Sequence, residues 1–153
     1  RVYQIPELLR FIRHFLGDQA PEDALFPLCR ELDIDVIARV PFDEGTLTGM
    51  LTLDSKWPAG DWRNIYFVPA NLKASVERAE ALRPLLAPGM SMPEMALRFI
   101  LSNPDVSTVI PGMRKARNVE ANLAVSDRGA LEPDLLQQLR AHRWDREPTP
   151  WSD

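Results

Sequence analysis

The stretch "STVIPGMRKARNVEANL", residues 107–123, joins a β-branched apolar run to a basic turn and a helix-like segment. Thr108, Val109 and Ile110 favour a strand, and Pro111-Gly112 ends it. Arg114, Lys115 and Arg117 then lead into a helix expected over 118–124. A helix start offers unpaired N–H groups and the positive end of a dipole, so it attracts anions. Gly112 lets backbone approach a ligand closely. An arginine fork at 114 or 117 suits a phosphate better than the point charge of Lys115. Asn118 and Asn122, one turn apart, present amides in the same direction. Parallel α/β folds gather ligands at the carboxyl ends of their strands, where this turn lies. A solvated basic turn has the same composition, so the rest of the chain has to decide.

Working outward, Ser91-Met92-Pro93-Glu94 has the spacing of a capping box and opens a helix through Ser102, which Asn103-Pro104 ends. Upstream, the periodicity predicts a helix over 70–87, bent near Pro84 and stopped by Pro88-Gly89. Another helix is expected over about 21–32 and a last one over 133–140. Val36–Val40, closed by Pro41, is the other strand. Between it and the central helices, Phe42–Asn64 forms a long loop rich in Gly, Pro, Asp and Trp, a length that usually serves function. Residues 5–16 (IPELLRFIRHFL) place apolar side chains at helical spacing, with Arg10, Arg13 and His14 off the stripe. Docking on protein is the expected use of that helix rather than membrane binding. The tail from Trp144 is Pro-rich and expected to be irregular.

The totals narrow the function. With 153 residues, 45% hydrophobic and 26% charged, the chain has enough material for one packed domain. A net charge of −4 argues against a broad nucleic-acid surface. No apolar run approaches the roughly 20 residues that span a bilayer, and no secretory signal pattern is expected at the N-terminus. The single cysteine, Cys29, lies in an apolar run and reads as a core thiol in a reducing cytosol. Two histidines, His14 and His142, make a multi-histidine metal site improbable. Two strands among many helices imply parallel α/β units, yet a two-stranded sheet has open edges that something must complete.

Taken in order, "IARVPFDEGTLTG" (37–49), "GDWR" (60–63), "MALRFILSNPDVSTVIPGMR" (95–114), "VEANL" (119–123) and "HRWDREPTPW" (142–151) resemble the C-terminal half of an aldo-keto reductase. The resemblance covers roughly Asp18 to the end. It implies an α/β fold that is a partial (β/α)8 barrel, about a quarter to a half of one, helix-rich with two short parallel-type strands. Residues 18–153 are then the half-barrel, and 1–17 a non-family amphipathic helical segment. The family reduces carbonyls with NADP(H). By resemblance, Pro41, Phe42, Gly45 and Leu47 lie along the cofactor's pyrophosphate. Ile110, Gly112, Met113 and Arg114 match the turn after the last strand, and Arg114, Asn118 and Asn122 fall at the 2′-phosphate and adenine. That implies NADP(H) over NAD(H). Asn118 and Ala121 depart from the family's usual basic residue or Gln, and Glu, which weakens the adenosine end without abolishing it.

The family's catalytic Asp, Tyr, Lys and His belong to its N-terminal half, and no position here matches them. Tyr3 and Tyr66 are more simply packing residues. Trp57, Trp62, Trp144 and Trp151 match the border of the substrate pocket, but amphipathic packing is the simpler expectation. Three functions follow. One is a catalytically incomplete half-barrel that keeps an NADP(H) half-site. Another is a subunit completed by a complementary chain. The third is a non-enzymatic dimeric scaffold, an isologous dimer being the commonest closure.

Overall fold

Helix α1 (Ala20–Asp23) and helix α2 (Leu25–Glu31) open the computed structural model, which describes residues 19–144. The helix expected over 5–16, Tyr3 and the tail beyond Trp144 with Trp151 lie outside the described residues. Strand β1 (Val36–Arg39) follows, then a 3₁₀ segment (Asp43–Thr48) and an irregular stretch up to helix α3 (Arg63–Tyr66). Helix α4 (Pro69–Leu82) passes into a 3₁₀ turn over Arg83–Leu85, which is the bend expected at Pro84. Helix α5 (Met92–Leu101), strand β2 (Val106–Ile110), helix α6 (Ala116–Ala124) and helix α7 (Pro133–Arg140) complete the order.

The two strands pair in parallel, in register Val36 with Val106, Ala38 with Val109 and Arg39 with Ile110. The register slips once near Ser107. There the Ser107 hydroxyl accepts from the Val36 N–H at 3.3 Å and donates to Asp35 Oδ1 at 2.8 Å. Alternation along β1 sends Val36 and Ala38 into the core and leaves Ile37 45% exposed. Ile110 on β2 is 58% exposed. Helices therefore cover one face of this sheet, whereas parallel sheets are ordinarily covered on both.

Helix α5 is the centre of the core. Met92, Met95, Ala96, Leu97, Phe99 and Ile100 are all buried. All of these but Leu97 pack with Phe26 and Cys29 of α2, Ala79 and Leu82 of α4, Val36 and Ala38 of β1, and Leu139 of α7. Cys29 is thus the core thiol the sequence suggests, and burial pushes its pKa up. The helix begins as Ser91 predicts, its hydroxyl accepting from the Glu94 N–H at 3.2 Å. Only that half of the capping box forms, because the Glu94 carboxylate is drawn to Arg98 at 3.4 Å and Arg128 at 3.3 Å. Arg98 also donates to the carbonyls of Gly129 and Ala130, at 3.0 and 2.9 Å. The segment just past the last helix is tied back to the first helix by a bidentate pair between Arg143 and Asp23.

Candidate functional site

Parallel pairing places the carboxyl ends of β1 and β2 side by side, so the segments leaving them, 40–49 and 111–117, share one end of the sheet. The first is tightly wound. The Phe42 carbonyl accepts from both Gly45 and Leu47 N–H groups at 3.0 Å, and Thr48 Oγ1 donates to the Gly45 carbonyl at 2.6 Å. Four residues take left-handed backbone: Val40 (φ 57°), Asp43 (φ 47°), Glu44 (φ 55°) and Gly45 (φ 115°). Only glycine adopts that region cheaply, and for a β-branched residue such as Val40 it is a strained state. The surrounding packing enforces it. Pro41 is buried, Phe42 packs on the core, and Leu47 and Asp43 have no exposed surface. The Tyr66 hydroxyl donates to Asp43 Oδ1 at 3.5 Å, tying α3 to the turn.

The second segment is open. Gly112, Met113, Arg114 and Asn118 are exposed, and a side chain at Gly112 would meet nothing within 4 Å. Asn122 is half-buried and donates from Nδ2 to the Gly112 carbonyl at 3.4 Å, so it braces the turn from within α6. Lys115 caps the helix without a side-chain hydrogen bond, and the first turn of α6 contains no acid. Among the described residues, Arg114, Lys115 and Arg117 form no ion pair. Three cations at the positive end of a dipole oppose the helix, a cost that a bound anion reverses.

The structure therefore places the predicted residues at one end of the sheet, with unequal parts. Arg114 and Asn118 present free polar groups, and Gly112 presents bare backbone. Ile110 and Met113 offer exposed apolar surface. Gly45 shapes the first turn, while Leu47, Pro41 and Phe42 pin it to the core, so Leu47 offers a ligand no side-chain surface. Nothing in the local sequence signals the left-handed backbone at Val40, Asp43 and Glu44, or the reach from Tyr66 to Asp43.

The excursion beyond the first turn has its own small core. Tyr66, Phe67 and Leu72 are buried with Leu51, Trp57 and Val76 packed against them, and Trp57 stacks on Phe67 at 5.1 Å. Trp62 meets Tyr66 edge-on at 5.7 Å. Tyr66 and two of the tryptophans thus serve packing here, and Trp144 receives the Arg78 guanidinium over its ring at 4.9 Å. Asp61 holds Arg63 bidentately, at 2.9 and 2.6 Å, and also accepts from its backbone N–H at 3.0 Å. Among the described residues no group of acids, histidines and cysteine is arranged to hold a metal, and no helix is long and apolar enough to cross a membrane.

Residues 11–143 match the aldo/keto reductase family. The chain belongs to the aldo/keto reductase family. The match begins at residue 11, inside the segment 1–17 that the sequence sets apart. The chain is 33% identical over 131 residues to an NADH-specific methylglyoxal reductase of Escherichia coli (strain K12), covering 83% of this chain and 40% of that protein. It is 31% identical over 137 residues to a probable pyridoxal reductase 2 of Schizosaccharomyces pombe, covering 78% and 38%. Among solved structures, the glycerol dehydrogenase AKR11B4 from Gluconobacter oxydans superposes with a TM-score of 0.72 at 20% identity, over 90% of this chain and 43% of that one. The aldo-keto reductase AKR11C1 from Bacillus halodurans gives 0.61, also at 20% identity, over 92% and 43%. The chain spans about 40% of the length of the curated relatives it matches, and the fold is that of a partial (β/α)8 barrel.

The Arg63 side chain, with its N–H, lowers the Asp61 pKa from 3.8 to about 2. A carboxylate depressed on folding stabilises fully above pH 3.8 and loses that contribution as pH falls through about 2. Asp61→Asn should therefore lower the urea midpoint at pH 6, with the gap to the parent closing between pH 4 and pH 2.

Proposed function

We propose that this chain supplies the adenosine-phosphate half of an aldo-keto reductase cofactor site and prefers NADP(H) to NAD(H). The observation that carries the reading is the unpaired cationic turn, Arg114, Lys115 and Arg117, at the uncapped positive end of α6 directly after β2. The donor set fits the group. A 2′-phosphate asks for a planar fork and exposed N–H groups, and Arg114 with the start of α6 offers both. Asn118, on the same helix, is exposed for the adenine, and Asn122 fixes the turn through Gly112. The Pro41–Leu47 turn lies alongside for the pyrophosphate. Its packing into the core means that it is held ready rather than ordered on binding, which lowers the entropic cost of association.

The choice of NADP(H) rests on these cations and not on ancestry. One relative is named as NADH-specific, and another, an aldo-keto reductase of Schizosaccharomyces pombe, carries NADP(+) in its name. When bound, the reduced dinucleotide supplies hydride. This chain's residues bind and orient it. The proton donor that carbonyl reduction requires matches no position of this sequence, so the chain by itself is a binding half and not an active reductase. A cytosolic setting suits a lone buried thiol that stays reduced. Replacing Arg114 with Ala should weaken NADPH about tenfold, the worth of a charge-assisted fork, and leave NADH unchanged in calorimetric titration. Equal loss for both nucleotides contradicts the assignment.

The bare sheet favours a second element of the reading. Ile37 and Ile110 are exposed on the uncovered face, and each strand has one paired edge among the described residues. A second copy of this chain closes both deficits as an isologous dimer. A complementary chain bearing the family's acid is the competing occupant. Light scattering of the purified chain at micromolar concentration should give twice its 17.4 kDa. A clean monomer rules out the homodimer.

A further inference from the structure

The bare face of the sheet has a size and a chemistry that limit what covers it. Ile37 and Ile110 are 45% and 58% exposed there, and Thr108, level with Ile37, is exposed as well. The paired strands are four and five residues long, about 15 Å. Parallel sheets are ordinarily covered by helices, so the fitting occupant is a short helix with one apolar stripe.

Residues 5–16, which lie outside the described residues, have that pattern in the sequence. Ile5, Leu8, Leu9, Ile12, Phe15 and Leu16 recur at helical spacing, with Arg10, Arg13 and His14 off the stripe. A helix over that stretch would measure about 18 Å, close to the length of the bare strands.

The linkage decides whose face it covers. The described residues start at Gln19, which is buried, and enter α1 at once. Helix α1 belongs to the covered side, since Glu22 pairs with Arg140 of α7 at 3.7 Å and Asp23 with Arg143 just beyond it. Leu139 of α7 is in the core. Packed layers lie about 10 Å apart, so an element on the opposite face is about 20 Å from the helix layer. Gly17 and Asp18 separate the stripe from Gln19 and span about 7 Å at full extension. That is too short for residues 5–16 to cross onto their own bare face. The face of a second copy carries no such limit.

We propose that residues 5–16 of each copy lie across the bare sheet face of the other, seating the apolar stripe on Ile37 and Ile110. This rests on the homodimer reading above and assigns that dimer its contact, an exchange of segments rather than a pairing of strand edges. Buried apolar side chains remove on the order of 100 Å² each, so two such segments with the surface they cover reach the roughly 1,600 Å² of a standard stable interface. The cations of the segment lie off the stripe and stay in water, so the contact buries no unpaired charge.

The experiment is light scattering of the whole chain, of Ile12→Glu, of Ile37→Glu and of an equimolar mixture of the two variants, with folding checked by circular dichroism. The parent should show twice its 17.4 kDa at micromolar concentration. Each variant alone should be monomeric at that concentration, its dimer weakened at least about tenfold because a carboxylate enters both contacts. The mixture should recover the dimer mass. Ile37→Glu keeps its segment and Ile12→Glu keeps its face, so one contact of the two is intact. If Ile37→Glu does not fold, Ile37→Gln takes its place with the same expectation. A variant that dimerises as tightly as the parent, to within about twofold, overturns the exchange and leaves the homodimer standing, joined by its strand edges. Two monomeric variants whose mixture stays monomeric at about ten times the concentration overturn it as well. A monomeric parent overturns both the exchange and the homodimer.

Discussion

The pairing of Val36–Arg39 with Val106–Ile110 is the constraint on which the rest depends. Two short strands far apart in sequence are held parallel by a core on one face, with α5 beneath them and α2, α4 and α7 around it. Parallel pairing brings the ends of both strands to the same edge. Without it, the wound turn after Pro41 and the basic turn after Pro111 would have no common side, and neither alone makes more than a fragment of a binding surface. The same pairing creates the deficit. Ile37, Arg39, Thr108 and Ile110 share a face that no described helix covers, which is the mark of a sheet built to be part of a larger barrel.

The two turns divide the labour of binding in opposite ways. The turn over 40–49 is rigid and internally satisfied, with strain at Val40, Asp43 and Glu44 borne by the packing of Leu47 and Pro41. The turn over 111–117 is exposed and electrostatically unfavourable, braced by Asn122 and otherwise unopposed. Helix α6 buries none of its nine residues, so little apolar packing offsets the repulsion at its start. Binding surfaces are commonly drawn from such weakly held elements, since a group already satisfied has nothing to give a ligand.

Much of this was legible because it is local. Pro41, Asn103-Pro104 and Pro111-Gly112 punctuate the chain where the elements end, Ser91 caps α5, and β-branched residues mark both strands. The family blocks and the cationic turn are likewise contiguous. What escaped is set by contacts between distant segments. Glu94 abandons the Ser91 end of its capping box because Arg98 and Arg128 compete for its carboxylate, and Arg128 is 34 residues away. Leu47 sits inside a loop by sequence, and only the arrival of α5 and α4 makes it core. The left-handed backbone of Val40 and Asp43 runs against local preference, so no propensity argument finds it.

The central claim is that the start of α6 and the turn after β1 receive one dinucleotide. Backbone amide chemical shifts of the ¹⁵N-labelled chain, followed as NADPH is added, test it directly. The account predicts that the largest changes fall on Gly112 to Arg117, with a second group at Glu44 to Thr46, and that both groups titrate with one midpoint. Changes confined elsewhere, or two groups with different midpoints, would mean that these turns do not form a single site.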